Sequence, residues 1–175
     1  GSAIAMRIAA EVSGLGVASR NASDGQSLID TADGALKETH ASLLRMRELA
    51  VQAQNGTLAT ADKSALGVEF DALEAEIDRI SSSTSWGGKN ILDGSFGSGQ
   101  ELSIEVGAAA AITHEIKDLD AAGLGFASSH TVADASTIAV LDAAIATLSE
   151  ERAGLGAISN RLDSTVANLD QIRVN

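Results

Sequence analysis

Residues 29–53 read IDTADGALKETHASLLRMRELAVQA. Ile29, Leu36, Leu43 and Ala50 recur every seven residues, and Ala32, Thr39, Met46 and Ala53 form a second row between them. Steps that alternate between three and four residues lay both rows along one face of an α-helix. The first row extends back through Ala22 and Leu15 to Ile8, the second through Gly25 to Ala18. This spacing predicts one helix over about residues 3–54, roughly 75 Å long at a rise of about 1.5 Å per residue. That exceeds the width of a compact domain of this size, so other elements must lie beside it. The second row is small-sided, which lets a neighbouring helix approach closely. Gly14, Gly16, Gly25 and Gly34 each cost such a helix about 1 kcal/mol relative to Ala, so their presence points to packing demands.

The whole chain has 175 residues, the length of one domain, residues 1–175. Hydrophobic residues make up 45% but aromatics only 2%, so the core must be built from Ala, Leu, Ile and Val. The absence of Pro permits long uninterrupted helices. A net charge of −12 repels nucleic-acid phosphates and anionic membranes, so neither is an expected partner. No run approaches the roughly 18 apolar residues of a membrane span, and no signal peptide opens the chain. Without Cys there is no disulfide, thiolate metal site or cysteine nucleophile.

Asn55-Gly56-Thr57 ends the first helix, with Gly56 as a left-handed cap. Thr60 reads as the N-cap of a second helix over about residues 61–82, with Asp62 in its first turn. Leu66, Phe70, Leu73, Ile77 and Ile80 form its apolar stripe, and Glu69, Asp71, Glu74, Glu76, Asp78 and Arg79 its solvated face. The short link makes it antiparallel to the first helix. Residues 87–133 change character. Gly residues punctuate short runs, and Leu102, Ile104 and Val106 alternate with polar residues, as do Ile112, His114 and Ile116. That period predicts a β-hairpin around residues 107–111, which must lean on the helices. A third helix runs from about residue 134 to 175 on a stripe from Ile138 to Ile172, interrupted by Arg152. At roughly 60 Å it can pair along the first helix in either direction. The expected architecture is mainly α: an elongated bundle of three long helices with a small β-hairpin region.

No catalytic constellation emerges. Gly87-Gly88-Lys89-Asn90 lacks the Ser or Thr and the upstream Gly of a phosphate loop. The Gly94–Gly99 run reads as a plain turn. His40, His114 and His130 stand too far apart to suggest a zinc site, and no cofactor is implied. Carboxylates such as Glu74 and Asp78 read as solvated helix surface. In Arg45–Gln52, Arg45, Glu48 and Gln52 share a face off the seam; they read either as a locally paired surface stripe or as a partner-binding surface.

Arg45 to Thr57, RMRELAVQAQNGT, resembles the bacterial flagellin signature R-V-R-E-L-A-V-Q-A-A-N-G-T, with Met46 in place of Val. Ala18 to Gly25 is similar to A-S-R-N-A-N-D-G, with Ser23 in place of Asn. Ala3 to Arg7, Glu76 to Ile80, Asn90 to Gly94 and Leu155 to Leu162 match further stations of that family in its own order. The resemblance implies a flagellin inner core: a structural, non-enzymatic subunit of the extracellular filament that bacteria rotate to swim. It also implies export by the type III route without a cleaved signal peptide. Implied partners are other flagellin subunits, an export chaperone, the filament cap and Toll-like receptor 5.

Family members carry further residues at both ends that form a terminal coiled coil and drive polymerisation. The chain is therefore expected to behave as an assembly-deficient core fragment, with the outer domains reduced to about residues 121–133. The receptor contacts implied by the resemblance fall on Arg45, Leu49 and Glu69. Three other readings compete: a hook–filament junction protein, a surface module binding polysaccharide or host receptor, and a chemoreceptor coiled coil. The strong Arg45–Thr57 and Leu155–Leu162 runs disfavour the first, a single Trp the second, and the Gly-rich region over residues 87–107 the third.

Overall fold

The computed structural model describes residues 1–96, 101–107 and 110–174. Its order is α1 (Ser2–Ala53), α2 (Thr60–Ser83), β1 (Ser85–Trp86), β2 (Lys89–Asn90), β3 (Glu101–Gly107), β4 (Ala110–Glu115) and α3 (Thr137–Val174). The three long helices and the predicted hairpin are present. The tip of that hairpin at residues 108–109, and the Gly-rich run beyond Phe96, lie outside the described residues.

The two-row seam of α1 is buried from Ala18 to Ala53, and Leu36, Leu43, Met46 and Ala50 are fully enclosed. Helix α3 lies antiparallel against it. Ser19 Oγ donates to Asp170 Oδ1 at 3.1 Å, Gln26 Nε2 donates to Asp163, and Arg47 Nε donates to Asp142 Oδ1 at 2.6 Å. These pairs hold one register along some thirty residues of α1. Its apolar filling is Leu141, Leu148, Leu155 and Leu162, all essentially buried. Each such Leu contributes about 1.5–3 kcal/mol relative to an exposed one. The small row explains how the axes come close: a Cβ on Gly25 would collide with the Ile104 side chain and lie 3.3 Å from Leu162 Cδ1.

The polar interruption of the α3 stripe is Glu151, not Arg152. Thr137, Leu141, Ala144, Leu148, Glu151, Leu155, Ile158 and Leu162 are buried in strict alternation of three and four. Glu151 accepts a contact from His114 Nε2 at 3.2 Å, so β4 supplies the partner for a carboxylate on the seam. Gly154 makes room for that imidazole, since a Cβ there would lie 2.8 Å from His114 Cε1. Arg152 points sideways, and its Nε donates to Asp33 Oδ1 at 2.9 Å.

Local punctuation departs from expectation in three places. Gly56 is not left-handed; α1 ends at Gln54 in right-handed geometry, and Asn55 Oδ1 accepts from Thr57 N and Oγ1. The N-cap of α2 is Ala59 in extended conformation, and Thr60 is already helical. A two-residue hairpin, unforeseen in the sequence, joins α2 to the β region. Ser85 and Trp86 pair with Asn90 and Lys89, and Gly87 and Gly88 take φ of +59° and +80°. Two consecutive left-handed residues suit the twist of such a tight turn.

The main hairpin pairs Leu102 with His114 and Ile104 with Ile112, and these four alternate positions face inward while Ser103 and Glu105 face out. Ile91, Leu92, Ile116 and Leu119 are buried and extend the same hydrophobic core into the β region. Ser81 Oγ and Leu119 N both donate to Leu92 O, at 2.8 and 2.9 Å. Asp134 collects Ser136 N and Oγ just before α3, and these two bonds hold its carboxyl below the usual range.

The glycines of α1 differ in what surrounds them, which sets a paired test. Gly34→Ala, with open space at the added Cβ, is expected to stabilise the chain by up to about 1 kcal/mol. Gly25→Ala is expected to destabilise it by about 1–3 kcal/mol through overpacking. Urea unfolding followed by circular dichroism reads both; equal shifts of the same sign would contradict this account of the seam.

Candidate functional site

The antiparallel return of α2 places its early turns beside the last turns of α1. Arg45 and Glu69 thereby meet across the groove. Arg45 Nε donates to Glu69 Oε1 at 2.8 Å and Nη2 to Oε2 at 3.2 Å, a two-pronged pair. Nη1 donates to Glu48 Oε2 at 3.0 Å, one turn along α1. The hydrogen bonds from Arg45 hold the Glu69 carboxyl below its ordinary value, and the same bonds push the guanidinium up. All three side chains are exposed, so solvent screens the pairs, and their contribution to folding is small. Their effect is to hold one positive and two negative groups in fixed positions on an open face.

Leu49 lies on the buried side of α1. It is 0% exposed, packed in the core beside Met46 and Ala50, and offers no surface to a partner in this conformation. One helical turn separates it from Arg45. The apolar residues that do reach solvent on this face are Leu44 and Val51, at 46% and 48% exposure. With Arg47, Glu48 and Gln52 they line a shallow groove. Their signal in the sequence is a large aliphatic pair seven residues apart and off both seam rows.

On α2, burial, with Asp71 and then Asp78 adding like charge, pushes the Glu74 carboxyl above its usual range. The pKa of Glu76 is lowered, chiefly by hydrogen bonds from Arg79. Glu74 is half-buried and Asp78 Oδ1 accepts from Ala121 N at 2.8 Å, so this acidic face is only partly solvated. Among the described residues no helix is long and apolar enough to cross a membrane. Nor does any group of three His, Asp or Glu side chains there converge as a metal site.

Residues 1–97 match the family model for the bacterial flagellin N-terminal helical region, and residues 138–175 that for the bacterial flagellin C-terminal helical region. The chain belongs to the bacterial flagellin family. It is 40% identical to a flagellin of Halalkalibacterium halodurans over 100% of its own length and 66% of that protein's. It therefore spans about two thirds of that relative. A crystal structure of Bacillus cereus flagellin superposes with a TM-score of 0.76 at 35% identity, covering 86% of this chain and 88% of that one. A putative flagellar hook-associated protein from Vibrio parahaemolyticus reaches a TM-score of 0.82 at 14% identity, covering 97% and 91%. At that identity the likeness is one of fold alone.

Two outcomes follow from where these side chains sit. Leu49→Ala should cost about 2–5 kcal/mol of stability, whereas Arg45→Ala should leave the midpoint of thermal unfolding nearly unchanged; calorimetry on both variants decides. For Glu74, a raised folded value means that ionisation opposes folding at neutral pH, and the penalty disappears as pH falls below the ordinary carboxylate range. Glu74→Gln is thus expected to stabilise the chain at pH 7 and to be neutral near pH 3 in urea titrations at the two pH values.

Proposed function

We propose that the chain is the core of a flagellin, a structural subunit of the extracellular bacterial flagellar filament and not a catalyst. The observation that carries this reading is the continuous α1–α3 seam in a chain matching both flagellin helical regions. A rod stiffened by such a seam presents long polar flanks, and repeated contacts between like flanks generate a helical filament when the rotation does not close. Replacing the matching segment of the Halalkalibacterium halodurans flagellin with this chain should give filaments visible by electron microscopy. Secreted subunits that never polymerise would defeat the proposal.

The finer reading is that residues 1–175 by themselves do not polymerise. It is supported by the seam's uncovered start: Ile4 and Ile8 are 58% and 54% exposed, although they continue the same spacing. In the register that sets Gly16 against Arg173, a helix continuing α3 would cover them. The chain by itself is expected to remain monomeric at micromolar concentration; light scattering that detects filaments would contradict this.

The partners beyond subunit neighbours are also part of this proposal: an export chaperone of the type III route, the filament cap and Toll-like receptor 5. For the receptor, the supporting feature is the exposed Arg45–Glu48–Glu69 cluster beside Leu44 and Val51. Leu49 acts there by holding α1 in place. Arg45→Ala and Glu69→Ala should each weaken receptor binding in surface plasmon resonance without loss of helicity; unchanged affinity in both would remove the receptor from the list of partners.

A further inference from the structure

Where β1 and β3 lie against α1, a recess of about 310 Å³ opens to solvent. It is lined by the buried Leu28 and by the half-buried aromatic residues Trp86 and Phe96. Asp24 and Glu105 stand exposed at its rim, and neither carboxylate has a hydrogen-bond or ion-pair partner among the described residues. Asn21 Nδ2 donates to Glu105 O at 3.1 Å, which leaves its Oδ1 as a further acceptor. Trp86 Nε1 donates to Ser27 Oγ at 3.3 Å, so the indole edge is tethered to α1. Among the described residues no Lys, Arg or His lines the recess.

We propose that this recess holds an arginine side chain presented by a polypeptide partner. Aromatic faces attract cations, most effectively where water is partly excluded. A planar guanidinium can stack on a ring while its forked donors reach carboxylates, and its alkyl stem suits an apolar lining. Asp24, Glu105 and Asn21 Oδ1 supply acceptors; the two carboxylates repel an anion even though Ser103 offers a hydroxyl, and they give a neutral apolar ligand no advantage. The chain's own paired arginines, at positions 45, 47, 79, 152 and 173, are committed to carboxylates elsewhere. This assignment does not depend on the filament reading.

Trp86 is the only Trp and the chain has no Tyr, so its emission reports on the recess directly. Titration of the whole chain with N-acetyl-arginine amide is expected to change that emission saturably in the millimolar range, and less strongly at high salt. N-acetyl-norleucine amide should give no saturable change, and N-acetyl-lysine amide should bind several-fold more weakly. An arginine-containing tetrapeptide should bind at least as tightly as the amide. The double variant Asp24→Asn, Glu105→Gln, whose exposed positions leave helicity intact by circular dichroism, should lower affinity about tenfold. The proposal is overturned by an absent or unsaturable response, or by equal binding of the norleucine or lysine amide. Unchanged affinity in the double variant, or rejection of the tetrapeptide, overturns it equally.

Discussion

The close antiparallel contact of α1 with α3 is the constraint from which the remaining structure follows. A helix of 52 residues exposes far more surface than it can bury alone, and its stability comes from tertiary packing of one face. The seam answers this with small residues on one row and larger aliphatics on the other. The missing side chain at Gly25 leaves room for Ile104 of the hairpin and for Leu162 of α3. With almost no aromatic residues, the interior depends on the regularity of these aliphatic layers.

That constraint places the other elements. Helix α2 returns along the C-terminal half of α1, bringing Arg45 within bonding distance of Glu69. The main hairpin occupies the N-terminal side, where Ile104 sits over Gly25 and His114 meets Glu151. A buried carboxylate on the seam would carry a desolvation penalty if left alone, and its partner arrives from a different element. Gly154 supplies the space. These three residues, on β4 and α3, lock the hairpin to the bundle at one place, while Leu102 and Ile104 contribute non-directional burial against α1.

The same geometry separates scaffold from surface in the Arg45–Gln52 run. Residues of this run alternate between core and solvent within a single turn: Met46, Leu49 and Ala50 inside, Leu44, Arg45, Glu48 and Val51 outside. One short motif thus specifies both packing and an exposed, charged surface.

The sequence by itself determined the three helices, the direction of α2 and the period-two strands of the hairpin, because periodicity reports directly which face of an element is buried. It also carried the family resemblance, through ordered local motifs. Only the tertiary structure decided that α3 runs antiparallel, since two long stripes can pair in either sense until specific contacts such as Arg47 with Asp142 select one. It alone exchanged Arg152 for Glu151 on the seam, because a residue's neighbours across the bundle are set by register and not by local pattern. The recess around Trp86 belongs to the same class. Its lining comes from α1, β1, the segment at Phe96 and β3, widely separated in the chain, and no local window of sequence contains them together.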